Sequence, residues 1–409
     1  MVPQLLQKIG TRITYQLEAI EQDTSVKKNH ASSELVKGVC VLPQGLEEAG
    51  VAELIALGAK AVKPLRRAAA FEADMACFYR LHLLCRLPFR LLREMASFRC
   101  DGRESLYSGI QGALDWERWL HPSMTFRVDV NGTAPGLNHS HYSALQVKNA
   151  IIDLQRNIWG QRSSIDLEEP DICLHVHLSR EGAVLSLDGS GGSLHRRGYR
   201  AAMGLAPLKE NLAAGLIRLS GWTGTTPLVD PLCGSGTLLI EAASLAAGHA
   251  PGLNRSFALE DWADFEDDLW KQERESALKR QEQRVLHPII IGCEKDPAIA
   301  AQARNNAQTA GLSHLIQINT GDFRDITLPE GPGTIVCNPP YGERLGADQD
   351  LKGLYNDLGG MVKAQGSGWD FWLLSGNPGI TAALKMKASR RIPINNGGID
   401  CRWLHYQVH

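Results

Sequence analysis

Polar residues dominate positions 1–35, which end in the cluster DTSVKKNHASSE and predict a flexible leader with one amphipathic helix at most. From Leu35 onward, apolar residues gather in short runs. LVKGVCVLP reads as a strand, and LEEAGVAELIALG carries apolar residues at helical spacing up to Gly58. AVKPLRRAAAF predicts a strand pair, and ADMACFYRLHLLCRLPFRLLREMASF a long apolar stripe studded with arginines. The helix SLYSGIQGALDWERWL, the strand MTFRVDV, the helix HYSALQVKNAIIDLQRNI and the strands DICLHVHLS and AVLSLDGS follow. Residues 36–190 therefore read as one interleaved α+β unit.

A glycine-rich, basic stretch within SGGSLHRRGYRAAMGLAPLKE marks an inter-domain connection over 191–208. Beyond it, strands and helices alternate regularly. TPLVD, HPIIIGCEKD, LIQINTGDF, GTIVCNPPYG and WDFWLLSGN read as successive strands, and DCRWLHYQVH as a closing one. Helices TLLIEAASLAAG and PAIAAQARNNAQTAG separate the first three. The strands are nearly all apolar, which predicts a doubly wound sheet covered on both faces over 209–409. A charged insertion at about 255–285, EDWADFEDDLWKQERESALKRQEQR, predicts a solvated helix rather than a binding surface.

Charge narrows the function classes. Lys and Arg number 43 against 45 Asp and Glu, a formal charge of −2 over 409 residues. That balance excludes coating of nucleic acid by bulk positive charge and leaves only a local basic patch. No run approaches the roughly 20 apolar residues of a membrane span, and the charged start lacks a secretory apolar block. A cytoplasmic protein without membrane contact is expected. The nine cysteines are scattered and form no Cys-x-x-Cys pair, which argues against disulfides and structural zinc. The pairs His139/His141 and His175/His177 lack converging thiolates or carboxylates, so no metal is expected.

The candidate chemistry sits at strand ends. Asp230-Pro-Leu-Cys233-Gly234-Ser235-Gly236-Thr237 joins a strand to a helix, where a Gly-x-Gly turn lets backbone approach a ligand. It is neither the dinucleotide fingerprint nor a P-loop, and an acid entering such a loop suits a zwitterionic ligand. A plain tight turn is the structural alternative. Glu294, ending the next strand, is placed to accept ribose hydroxyls, while Asp296 before Pro297 reads as a helix cap. Asp322 in Gly-Asp-Phe either accepts from an adenine amine or makes an Asx turn. Asn338-Pro339-Pro340-Tyr341 then follows the apolar strand TIVC. Two prolines fix the backbone, so the Asn338 side chain and the Pro339 carbonyl present two acceptors to an exocyclic amine, with Tyr341 as a stacking face. No general base is evident, and none is expected to be essential.

In this order DPLCGSGTLLIEAA, GCEKDP, GDF and VCNPPYGERLG resemble the S-adenosylmethionine loops and the NPPY motif of class I methyltransferases. LPQGLEE, LYSGIQGALDW, SALQVKNAIID and LSLDGSGGSLHRRGYR extend the resemblance, over roughly 36–409, to the THUMP-containing 23S rRNA (guanine-N2)-methyltransferases. The resemblance implies an α/β fold: a carboxyl-terminal Rossmann-like methyltransferase domain preceded by an α+β ferredoxin-like and THUMP RNA-binding region. It implies S-adenosylmethionine as cofactor, and methyl transfer to the exocyclic amine of a guanine. Position by position, Asp230, Cys233, Gly234, Ser235, Gly236 and Thr237 would line the methionine end of the cofactor, Glu294 the ribose and Asp322 the adenine. Asn338 and Pro339 would accept from the guanine amine, with Pro340 fixing the turn and Tyr341 stacking. Some members continue into a second methyltransferase domain. This chain stops at the closing strand, so one activity is expected.

Partners follow from the same reading: 23S rRNA or a pre-ribosomal particle, bound by a monomer. Arg86, Arg90 and Arg93 in the first arginine cluster are candidate RNA contacts, as are His195, Arg196, Arg197, Tyr199 and Arg200 in the connection. A merely solvated basic face is the alternative for both groups. Trp116, Trp119 and Trp159 read as packing residues. Competing functions are the same chemistry on tRNA, adenine-N6 or glutamine-amide methylation, and an RNA-binding assembly protein with little activity.

Overall fold

The computed structural model describes residues 34–200, 208–283, 286–341 and 351–409. The leader up to residue 33 and positions 201–207 of the expected connection lie outside these. In the amino-terminal half, β1 (Val36–Val41), β2 (Lys60–Leu65), β3 (Ala68–Ala73) and β4 (Arg90–Phe98) precede β5 (Thr125–Gly132), β6 (Ser164–Ile165), β7 (Ile172–Leu178) and β8 (Ala183–Asp188). They make one sheet ordered β2-β3-β1-β4-β8-β7-β5-β6. The antiparallel pairing of β4 with β8 fuses two subunits of the fold into a single surface.

The arginine-studded stripe divides into two elements. Asp74 caps the Met75–Leu84 helix by accepting from the Cys77 amide at 2.7 Å, and Pro88 disfavours helix at the preceding residue, so the chain turns into β4. That helix buries Met75, Cys77, Phe78, Tyr79, Leu81, His82 and Leu83, more than one stripe. The reason lies far along the chain. Phe257, Trp262 and Trp270 of the charged insertion are buried in the same core, with Trp270 edge-on to Tyr79 at 5.5 Å. The insertion's Asp267–Gln283 helix is therefore only half solvated. Its inner face docks on the amino-terminal half, and Arg80 pairs with Glu273 at 2.6 Å.

The carboxyl-terminal sheet contains β9 (Leu228–Asp230), β10 (Ile290–Glu294), β11 (Ile316–Thr320), β12 (Thr334–Cys337), β13 (Asp370–Ser375), β14 (Arg390–Asn396) and β15 (Ile399–Gln407), ordered β11-β10-β9-β12-β13-β15-β14. The first five run parallel, and the β14–β15 hairpin closes the sheet antiparallel. Side chains alternate between two cores. Leu228, Val336, Trp372, Leu374 and Trp403 enter one; Val229, Ile335, Cys337, Phe371, Leu373 and Leu404 enter the other. This is the doubly wound sheet expected from the apolar strands. Strand β14 was not anticipated, since Pro393 and polar neighbours mask an edge strand.

Candidate active site

Strand order reverses between β9 and β12, so the loops after these two strands open side by side at a topological switch point, where open α/β sheets bind ligands. The loop after β9 turns through Gly234 (φ 53°) and Gly236 (φ 83°), conformations that favour glycine. A Cβ built on Gly234 would meet nothing within 4 Å, so the backbone faces open space. Glu294 ties this loop to its neighbour: one carboxylate oxygen accepts from the Gly234 amide at 3.1 Å, the other from the Asp296 amide at 2.9 Å. Asp296 caps the Pro297–Thr309 helix through the amides of Ala298 and Ile299.

Asp230 is buried and accepts from the Leu232 amide at 3.1 Å. Burial, with the charge of Glu294 nearby, pushes its carboxyl up to about 8. Cys233 and Thr237 are buried as well. The Cys233 thiol is held far above its usual range, again by burial, which makes it a spacer rather than a nucleophile. Ser235 accepts on its carbonyl from Asn306 at 3.0 Å. Beyond Glu294, a cavity of about 100 Å³ is lined by Leu232, Lys295, Gly321, Asp322, Phe323 and Leu354. Asp322 caps its own turn through the Arg324 amide and pairs with the Arg324 guanidinium at 2.7 Å; Arg324 in turn holds Asp357. Asp322 thus makes the Asx turn read from the sequence and also lines the cavity. Glycine loop, open backbone, acidic strand ends and cavity fit a molecule with a cationic end, a ribose and a flat base.

Next to the glycine loop stands the Asn-Pro-Pro-Tyr turn. The Asn338 Oδ1 atom is buried and has no hydrogen-bond partner among the described residues. A buried amide oxygen left unpaired is costly unless a ligand donates to it. The Tyr355 hydroxyl donates to the Pro340 carbonyl at 3.2 Å, which turns that carbonyl away and fixes the bend. Tyr341 is half-buried. Its ring lies against Gly376, where a Cβ would fall 2.7 Å from the ring edge, and its hydroxyl accepts from Asn396 at 2.7 Å. Tyr355, Gly376 and Asn396 come from other elements and carried no signal in the sequence; an Asn in a polar edge strand is unremarkable until its partner is seen.

The expected RNA contacts are mostly engaged elsewhere. Arg86 donates to the Ser244 hydroxyl at 2.8 Å, the Ser244 carbonyl and the His249 carbonyl, joining the two halves. Arg90 pairs with buried Asp188, and Arg93 pairs with Asp264 at 2.7 Å between Trp119 and Trp262. Arg197 reaches the Leu194 and Arg86 carbonyls and Glu241; Arg200 reaches Thr237 at 2.6 Å, the Leu208 carbonyl and Glu210. Tyr199 is buried and donates to Glu241 at 3.2 Å, so it offers no face for a base in this conformation. His195 is half-buried, and burial beside Lys209 and the arginines lowers it to about 4, leaving it uncharged at neutral pH. Arg196 alone of these is exposed. What reads as a basic RNA-binding connection joins the two halves through Arg197 and the Arg86 carbonyl, while Tyr199 and Arg200 fasten it to the carboxyl-terminal half. Arg200 also braces the first residue of the helix that follows the glycine loop.

All nine cysteines are buried, and none forms a disulfide among the described residues. Among the described residues no group of three or more His, Cys, Asp or Glu is placed to hold a metal ion, and no helix is long and apolar enough to cross a membrane.

With this geometry in hand, residues 197–405 match the RMKL-like methyltransferase domain, 104–188 the THUMP domain and 38–92 the RlmL ferredoxin-like domain. The chain is 42% identical over 367 residues to slr0064 of Synechocystis sp., which carries an RNA-methyltransferase name, covering 90% of this chain and 95% of that one. It is 39% identical over 383 residues to ribosomal RNA large subunit methyltransferase K/L of Syntrophotalea carbinolica, covering 91% of this chain but only 54% of that protein. This chain therefore spans about half of the K/L relative. Among solved structures, SMU.472, crystallised with S-adenosylhomocysteine, superposes with a TM-score of 0.81 at 28% identity over 92% of this chain and 99% of its own. A predicted N6-adenine-specific DNA methylase of Listeria monocytogenes gives 0.81 at 28% over 92% and 97%. The glycine loop, the NPPY turn and the domains in front of them place this chain in the RMKL-like family of S-adenosylmethionine-dependent methyltransferases with THUMP and ferredoxin-like domains.

Proposed function

We propose that this protein methylates the exocyclic N2 amine of a guanine in 23S rRNA. The observation that carries the chemistry is the buried Asn338 Oδ1 at the switch point, which has no partner among the described residues. The RNA class is supported by the THUMP match and by the names of the two relatives. In this reading Asp230, the 233–237 loop, Glu294 and Asp322 hold S-adenosylmethionine along the ends of β9, β10 and β11. When bound there it supplies an electrophilic methyl group on a sulfonium sulfur.

The protein's own work is positional. Asn338 Oδ1 and the Pro339 carbonyl accept the two N–H bonds of the amine, which aims its lone pair and raises its electron density. Tyr341, locked by Asn396 and Gly376, stacks on the base. As the N–C bond forms, the methyl–sulfur bond would break with its electron pair left on sulfur, and the surplus amine proton would then leave to water, so no side-chain base is required. A base within paired rRNA must be extruded, or met as single strand, to reach this turn. Adenine N6 methylation, suggested by the Listeria neighbour's name, uses the same turn on a different ring. The RNA-type amino-terminal half favours an RNA over a DNA substrate, and the K/L relative's name favours rRNA.

Replacing Asn338 with Ala should lower kcat by roughly 10²–10³ while S-adenosylhomocysteine and RNA bind as before, the scale of losing one transition-state hydrogen-bond partner. Single-turnover transfer and calorimetric binding measure the two halves. Full transfer by that variant would overturn the mechanism.

A further inference from the structure

Most of the arginines that looked available for RNA are engaged by partners within the protein, so exposed cations without an ion pair are the better candidates to meet substrate. One such feature is the hairpin β2–β3. The segment Lys60-Ala-Val-Lys63-Pro-Leu-Arg66-Arg67 holds four cations and no acid. All four cationic residues are exposed, Lys60 and Lys63 on an edge strand of the eight-stranded sheet and Arg66 and Arg67 in the turn that follows it. No ion pair among the described residues involves any of them. The nearest acids are Glu72, across the strand from Lys60, and Glu47, whose two oxygens accept from the amides of Gly45 at 2.7 Å and Arg67 at 3.1 Å.

An edge strand often carries Lys, Pro and a bulge simply to prevent pairing with another sheet, and Lys63, Pro64 and the irregularity between Lys60 and Lys63 serve that purpose. Arg66 and Arg67 do not, because they lie past the strand, in the turn. Their location is what points to function. Through Glu47 the turn is joined to the 43–46 loop, and that loop reaches the catalytic sheet: the Asn395 amide donates to the Gln44 carbonyl at 3.3 Å, and Gly45 packs on Pro393. The next residue of β14, Asn396, is the one that holds Tyr341. The basic turn and the base-stacking tyrosine are thus linked by one continuous set of contacts.

We propose that Lys60, Lys63, Arg66 and Arg67 form the surface that binds the phosphodiester backbone of the substrate RNA and leads it to the Asn338–Tyr341 turn. This rests on the reading of the enzyme as an RNA methyltransferase. Charge complementarity commits the surface to a polyanion, and continuity with Tyr341 commits it to the strand being modified.

The test is the full chain carrying K60Q/K63Q/R66Q/R67Q, bound to unmodified 23S rRNA transcript over a range of salt. The expected Kd rises at least about tenfold near physiological salt, and the slope of log affinity against log salt falls by about three, the share of four phosphate contacts. S-adenosylhomocysteine affinity and kcat at saturating RNA stay at the parent values, which excludes misfolding as the cause. An unchanged Kd and salt slope, with the parent protein binding and methylating RNA, would overturn this surface alone. Failure of the parent protein to bind or methylate any RNA would overturn the RNA reading, and this surface with it.

Discussion

The residues that touch ligand in the proposed reading were legible because each lies within a few positions of a strand end. Asp230, Gly234, Gly236, Glu294, Asp322 and Asn338 stand on four neighbouring strands whose order brings their ends together. The partners of the candidate arginines were hidden for the opposite reason. Whether a guanidinium is free depends on partners remote in sequence, as Arg80 shows with Glu273 and Arg86 with Ser244. Asp230 gives this scale its prediction. Burial raises its carboxyl to about 8 in the ligand-free protein, well above the roughly 3.9 of an unfolded chain. The folded state therefore holds the proton more tightly. This group's contribution to stability is full below the unfolded value and is lost as pH rises toward 8. A ligand ammonium favours the ionised form, so S-adenosylhomocysteine binding at pH 7 should release up to one proton, and affinity should rise by up to about tenfold per pH unit between about 6 and 8. Calorimetry in buffers of different ionisation enthalpy measures this; binding without proton release would exclude Asp230 as the cation's partner.

Among the elements, the charged insertion departs most from expectation. Its alternating signs describe the solvent face correctly and hide the other. Phe257, Trp262 and Trp270 fall among acids and lysines, too widely spaced to raise the local hydropathy, yet each is buried. Trp270 contacts Tyr79, Phe257 and Phe265. Replacing it with Ala should cost about 3–5 kcal/mol, the range for a large core aromatic, and lower the midpoint of thermal unfolding. If the insertion were merely a solvated helix, as its charge suggests, the loss would stay within about 0.5 kcal/mol. The β14–β15 hairpin is a second case: its Asn396 reaches the candidate site from an edge strand that polarity had concealed.

At the scale of the whole molecule the two halves are joined along a dense seam. Arg86 and Arg197 bind backbone across it, Asn211 donates to the Leu87 carbonyl at 3.0 Å, and the Gly252 amide to the Leu83 carbonyl at 2.9 Å. The amino-terminal sheet and the Asn338–Tyr341 turn are thereby joined, which in the proposed reading lets the enzyme position one base of its RNA. The division into an α+β half and a doubly wound half was readable from hydropathy. The seam was not, because these four contacts join positions more than a hundred residues apart. The central claim is the reaction itself. It is tested most directly by transfer of labelled methyl from S-adenosylmethionine to separate pools of unmodified 23S rRNA and tRNA, followed by nucleoside analysis. Label recovered as N2-methylguanosine from 23S rRNA is the predicted result; label on adenine, on tRNA alone, or on neither RNA would contradict it.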